Sequence, residues 1–398
     1  MFLKDLLLPA LEQHQARGLY RQLRQRQTPQ HPLQQVNGQW VCSFSSNDYL
    51  GLADHPSLQE AAILAIEKYG FGSGSAELIN GYTDLHAELE YELARWTGRP
   101  RALLFSTGFM ANIGVISALS NAQDLILEDR LNHASLLDGA RLAGARLSRY
   151  HHLDTLHADT LFKKNTITYR RRFIVTDGVF SMDGDLAPLQ VLAQLAKQHQ
   201  AYLMVDDAHG FGVLGTTGAG IVEALNLSGD DVPILVGTLG KAFGSFGAFV
   251  AGDDALIETC QQFARSYIFT TAMPPACVAA SLAALHLIQQ DHARRAHLQG
   301  LIQACRAQAQ QLGLALMDSL TPIQPIVIGD SQQAWECSQR LFEAGFYVPA
   351  IRPPSVAAGT ARLRITLTAA HTLEQLSDLL NTLVIIMRDI DGSSRSKA

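Results

Sequence analysis

The sequence lacks the features that would send it to a membrane, a nucleic acid or an oxidising compartment. Its 398 residues contain five cysteines, Cys42, Cys260, Cys277, Cys305 and Cys337. They are odd in number and without a close pair, which argues against a disulfide scaffold or a Cys-rich zinc site. Basic residues do not prevail: 31 Lys and Arg against 37 Asp and Glu give a net charge of −6, so neither nucleic acid nor an anionic membrane is expected as a partner. No uninterrupted apolar run is long enough to span a bilayer. The N-terminus sets Lys4, Asp5 and Glu12 around a short apolar patch and lacks a signal-peptide cleavage pattern. A cytoplasmic protein with reduced thiols is expected.

The chain is longer than one ordinary domain and has ample apolar content, so two unequal domains are expected. The pattern predicts an N-terminal arm and short strand region over 1–45, a large domain over 46–285, a small C-terminal α+β domain over 286–390 and a disordered tail over 391–398. Residues 1–27 read as an amphipathic helix carrying Arg17, Arg21, Arg24 and Arg26, followed by a polar, turn-rich stretch from Thr28 to Gly38. Helices are predicted near 58–69 and 84–97, on either side of the glycine-rich loop GFGSGSAELINGY.

From ALLF at 102–105 the pattern alternates. Strand-like runs in DLILED, RRFIVTD, AYLMVDD, PILVGT and GAFVAG are separated mostly by stretches that can hold a helix, which predicts an α/β fold with a mostly parallel sheet covered by helices. Ligands of such sheets bind outside the carboxyl ends of the strands, where Asp177, Asp206 and Thr238 all fall. After ALLF, the small residues Ser106, Thr107 and Gly108 lead into a helix beginning at Phe109, a turn suited to an anion such as phosphate.

One lysine, Lys241 in VGTLGKAFG, stands among small residues just after the apolar run PILV. Taken alone it is equally compatible with a solvated loop lysine. Its surroundings extend the case, because a pyridoxal phosphate enzyme needs a lysine amine, an acid for the pyridine nitrogen, donors at the ring oxygen and an anion site. Lys241, Asp206, His209 three residues further on, and the Gly108 turn offer all four. Asp206 is also compatible with a strand-terminal turn cap. Other sites fare worse: Val236 and Ala242 break a Walker A loop, and HHLDTLH at 151–157 has no standard metal-ligand spacing.

Five ordered motifs, SSNDYLG, NHASLLDGA, DGVFSMDGDLAPL, VDDAHGFGVLG and GTLGKAFG, resemble the α-oxoamine synthase group of fold type I pyridoxal phosphate enzymes, over nearly the full chain. Within the group, AIRPPSVAAGTARLRITLTAAH and the arginine-bearing arm are most similar to the branch that condenses L-alanine with a pimeloyl thioester of CoA or acyl carrier protein. The resemblance implies a decarboxylative Claisen condensation in biotin synthesis. It also implies that Lys241 holds the cofactor and moves the Cα proton of alanine, and that His133 stacks on the ring. Asp206, His209, Ser181, Thr238, Gly108 and Phe109 are then cofactor contacts, Arg364 clamps the alanine carboxylate, and Asn47, Arg21 and Ser355 meet substrate. A homodimer is implied, with Thr270 and Thr271 reaching the partner's phosphate site. Relatives that use glycine with acetyl-CoA or succinyl-CoA, simple amino transfer, and a non-catalytic binder of a phosphorylated ligand are the alternatives. The chain departs from the group at Ala76 and Glu77, where a GSGGSR or GSGGSG loop is usual, and an acid there would repel bound anions unless turned away or neutralised.

Overall fold

The computed structural model describes residues 3–16, 19–165 and 167–395. It divides into two compact units, one of residues 48–181 and 185–296, the other of residues 1–47, 182–184 and 297–398. The boundary between residues 296 and 297 falls within the helix His292–Gln311. Among the described residues no helix is long and apolar enough to cross a membrane.

The larger unit is built on seven strands, β1 (Arg101–Phe105), β2 (Leu125–Asp129), β3 (Arg146–Tyr150), β4 (Arg172–Asp177), β5 (Tyr202–Asp206), β6 (Ile234–Thr238) and β7 (Ala248–Gly252). Their order in the sheet is β1-β7-β6-β5-β4-β2-β3. Pairing is parallel throughout except at β7, which runs antiparallel to both neighbours. The central strands are continuous apolar runs because both faces are covered, and Leu103, Ile126, Val175, Met204 and Val236 join one core with helix residues such as Val115 and Leu136. The sheet is the predicted one with an added edge: the polar run RLSRY of β3, absent from the sequence reading, pairs with β2 alone. An edge strand has one solvated side and needs no apolar run.

Parallel register decides what meets at the carboxyl edge. Asp177 is paired with Asp206, and Asp206 with Val236. Next to them, β2 ends on Asp129, whose carboxylate accepts from Leu131 N and Leu153 N at 2.8 Å each and from His152 Nδ1 at 2.9 Å. The other ring nitrogen of His152 lies 2.8 Å from Asp185 Oδ2, so one imidazole ties the end of β2 to the loop after β4.

The smaller unit holds two three-stranded sheets. Ala361–Thr366 lies between Ile323–Gly329 and Ala350–Ile351, all antiparallel, and Gln39–Ser43 lies between Leu33–Val36 and Phe346–Tyr347. The pair Leu33–Val36 and Gln39–Ser43 is a hairpin closed by Asn37 and Gly38, both at positive φ, 50° and 82°. Asn-Gly between alternating residues is a strong hairpin signal, and the sequence reading took this stretch only as turn-rich.

Of the helix expected over 1–27, the described residues show Leu3–Ala16, which contains Pro9 and buries none of its residues. Without a buried face a helix gains little from tertiary packing. Residues 17 and 18 lie outside the described residues, and 19–25 are not helical. There the Arg24 guanidinium sits 4.5 Å from the Phe342 ring centre and 4.9 Å from that of Tyr347. The last helix spans Leu373–Arg395, reaching into the stretch expected as tail, and residues 396–398 lie outside the described residues.

Burial alone would lower the His152 pKa, but its hydrogen bonds to Asp129 and Asp185 outweigh that and raise it from 6.5 to about 9. A raised folded-state value stabilises fully below the unfolded pKa and is lost as pH climbs through the folded one. The stability difference between wild type and His152→Gln in chemical denaturation should therefore shrink from pH 6.5 to pH 9; a difference constant across that window refutes the charged bridge.

Candidate active site

A cleft of about 200 Å³ opens at the carboxyl edge of the large sheet, in the larger unit. Lys241, Asp206, His209, Ser181, Thr238, Gly108, Phe109 and His133, all singled out from the sequence, line it together. Asn112, Ser135, Asp177 and Ala208 line it as well. Of these, only Asp177 had been noted, and as a strand end.

The local sequence places each group. Asp206 is the last residue of β5, 7% exposed, and its Oδ1 accepts from Ala208 N at 3.0 Å as the chain turns away. Its Oδ2 accepts from Asn112 Nδ2 at 2.6 Å, and the same amide nitrogen lies 2.9 Å from Ser135 Oγ. Asn112 sits one turn into the helix Gly108–Leu119, four residues after Gly108, so a single helix supplies both a partner for Asp206 and the helix N-terminus. Thr107 caps that helix by accepting from Met110 N at 3.2 Å. The first N–H groups of such a helix have no intrahelical acceptor and suit an anion; Thr238, at the end of β6, lines the same cleft and its hydroxyl donates to Gly247 O at 3.1 Å.

His133 caps the helix Ala134–Ala143. Its backbone N donates to Asp177 Oδ2 at 2.9 Å, and its Nδ1 is 2.7 Å from Ser135 Oγ. Burial, then the charge of Lys241, lower its pKa against the opposing pull of Asp206, which favours the neutral imidazole. Asp177 is pushed well up, first by burial and then by the adjacent Asp206 carboxylate. The second acid of VDD, Asp207, is fully buried and accepts from Ile221 N at 2.7 Å. It is a structural group, and burial raises its pKa well above the carboxylate range.

Lys241 follows β6 in a tight loop. Its Nζ lies 2.8 Å from His209 Nε2, and Gly244 N donates to its carbonyl at 2.8 Å. Gly244 has φ +64°, and a Cβ there would stand 2.3 Å from the backbone nitrogen of Ala53. That glycine is required by backbone approach and not by access to the lysine amine.

Pyridoxal phosphate fits this donor set. Two acids meet at paired register positions with one lysine amine, an asparagine leaves its Oδ1 buried without a partner, and a helix N-terminus opens on the same cleft. A protonated pyridine nitrogen would supply positive charge beside the two buried acids.

The remaining sequence-predicted residues fall elsewhere. Arg364 and Asn47 belong to the smaller unit, where Arg364 Nη2 donates to Asn47 Oδ1 at 3.2 Å and Nη1 to Thr366 Oγ1 at 2.8 Å. Arg21 and Ser355, also in that unit, are exposed. Thr271 does not line the cleft, and its carbonyl accepts from Ser106 Oγ at 3.3 Å. Thr270 does not line it either. Glu77 opens a short π-helical turn, Glu77–Gly81, and is absent from the cleft lining. Burial raises its pKa to about 7, opposed by a hydrogen bond to Tyr267 and reinforced by Glu90.

The aminotransferase class I and II family model matches residues 40–383. The 8-amino-7-oxononanoate synthase of Saccharophagus degradans is 51% identical over all of both chains. That of Thioalkalivibrio sulfidiphilus is 55% identical over 95% of this chain and 96% of its own. A serine palmitoyltransferase of S. paucimobilis, solved with a PLP-myriocin adduct, superposes with a TM-score of 0.91 at 29% identity, over 98% of each chain. The chain belongs to the aminotransferase class I and II family, among the 8-amino-7-oxononanoate synthases.

Proposed function

We propose that this chain catalyses the decarboxylative condensation of L-alanine with a pimeloyl thioester, giving 8-amino-7-oxononanoate, carbon dioxide and the free thiol carrier in biotin biosynthesis. The observation that carries the reading is the meeting of Lys241, His209, Asp206 and His133 in one cleft, in a chain 51% identical end to end to a named synthase of this reaction. Pyridoxal phosphate bound there supplies the electron sink for charge developing at the alanine Cα.

Each residue then has a task. Lys241 holds the cofactor through Nζ and, as a free amine, takes the Cα proton. Asp206 keeps the pyridine nitrogen protonated, and Asn112 keeps Asp206 in place by its 2.6 Å hydrogen bond. His133 stacks on the ring as a neutral imidazole, and His209 and Ser181 contact the cofactor. Thr238, Gly108 and Phe109 hold its phosphate end. Arg364 takes the alanine carboxylate by a bidentate pair, assisted by Asn47, while Arg21 and Ser355 meet the acyl group. The carrier is CoA or acyl carrier protein. The working form is a cytoplasmic homodimer in which Thr270 and Thr271 complete the partner's phosphate site. Buried thiols suit a reducing compartment, and burial pushes Cys260 and Cys305 up to about 12, which leaves them unreactive.

Borohydride treatment of the yellow protein should fix the cofactor on Lys241, as read by peptide mass. Lys241→Ala should lose condensation by roughly a factor of 10⁴, at the upper end of what a positioned acid–base group contributes. In a matrix of amino acids and thioesters, alanine with a pimeloyl thioester should release carrier and carbon dioxide fastest; activity confined to glycine, or product without carbon dioxide, refutes the assignment. Asn112→Ala should weaken cofactor retention by about 1–3 kcal/mol, since it strips a donor from a buried carboxylate. Dialysis against hydroxylamine followed by reloading measures that change, and unaltered retention would remove Asn112 from the scheme.

A further inference from the structure

Tyr49 is completely buried, and its hydroxyl lies 2.5 Å from Nδ1 of His209. The opposite ring nitrogen, Nε2, lies 2.8 Å from Nζ of Lys241. Phenol, imidazole and amine thus form one hydrogen-bonded row. The two rings are tilted at 51° with centres 5.9 Å apart, so the contact is made by the hydroxyl and not by stacking.

The row is held at both ends. Asp48, just before Tyr49, accepts from Leu52 N at 2.9 Å and Ala53 N at 3.0 Å, and Arg294 Nη1 donates to Leu50 O at 2.9 Å. This turn abuts the lysine loop, since the missing Cβ of Gly244 would lie 2.3 Å from Ala53 N. The hydroxyl and the amine are therefore fixed relative to each other with the imidazole between them.

An ammonium donates and cannot accept. When Lys241 is charged, His209 Nε2 must be bare, the ring proton sits on Nδ1, and Nδ1–H donates to the phenol oxygen. When Nζ carries no ammonium, the phenol donates to Nδ1 and the ring proton moves to Nε2. Only a group that both donates and accepts serves both arrangements, and a tyrosine hydroxyl is such a group. Asp177, Asp207 and His133 interact with Lys241 through charge.

We propose that Tyr49 is a positioning residue that lets His209 reverse its hydrogen-bond polarity, presenting Nε2 as acceptor to a charged Lys241 and as an N–H donor when the lysine nitrogen is not an ammonium. The inference rests on the reading of Lys241 as the cofactor lysine and base, whose charge changes during turnover.

Tyr49→Phe keeps the ring and removes the hydroxyl. With ¹⁵N-labelled histidine, and the His209 signals identified by their loss in His209→Asn, the wild type should carry the ring proton on Nδ1 without cofactor at neutral pH and on Nε2 when loaded. In Tyr49→Phe the two states should no longer differ in this way. The variant's kcat should fall about tenfold while KM for alanine stays within about twofold, with a displaced pH profile of kcat. A wild-type His209 proton on the same nitrogen in both states, or a variant matching wild type in tautomer and kcat, overturns the proposal. If borohydride marks another lysine, the functional reading falls, whereas the cofactor-free spectra of wild type and Tyr49→Phe still decide whether Tyr49 governs His209.

Discussion

The constraint on which the site depends is the pairing of Asp177 with Asp206 at the ends of adjacent parallel strands. Both side chains are buried, and two carboxylates side by side in a poorly solvated site cannot both stay ionised without donors and positive charge. The surrounding structure supplies them from separate elements. His133 N donates to Asp177 Oδ2, and Asn112 Nδ2 and Ala208 N donate to Asp206. Lys241 adds a charge felt by Asp177.

The donors arrive together because of how the parallel sheet is assembled. Every parallel strand of the large sheet delivers its following loop to the same edge, so β4, β5 and β6 set Asp177, Asp206 and Thr238 side by side although the sequence separates them widely. The helix Gly108–Leu119 then contributes twice, through its N-terminus and through Asn112. His152 fastens the neighbouring strand end from outside, holding β2 to the loop that follows β4.

Where the pattern was regular, the fold could be read from the chain. The apolar runs of the central strands give a parallel sheet because nothing but a doubly covered strand is apolar on both faces. The missed strands are of two kinds. RLSRY forms an edge and needs no apolar run, and LQQV is short, with its clearest mark in the Asn37-Gly38 turn beyond it. The N-terminal arm illustrates the opposite error: its leucines repeat at helical spacing, yet the helix Leu3–Ala16 buries nothing, and Arg21, Arg24 and Arg26 lie on no helix.

The sequence by itself determined the fold class, the family and the chemical groups of the site, because those follow from periodicity and from short motifs whose residues are close along the chain. Lys241, Asp206 and His209 were legible in that way. Only the tertiary structure decided which groups act on them. Asn112 lies 94 residues from Asp206 and Tyr49 lies 160 residues from His209, and each is joined to its partner by a hydrogen bond that no local pattern encodes. The same holds for Glu77, whose hydrogen bond to Tyr267 no local pattern encodes. Local spacing fixes which residues a helix or strand presents; register and packing between distant elements fix what those residues meet.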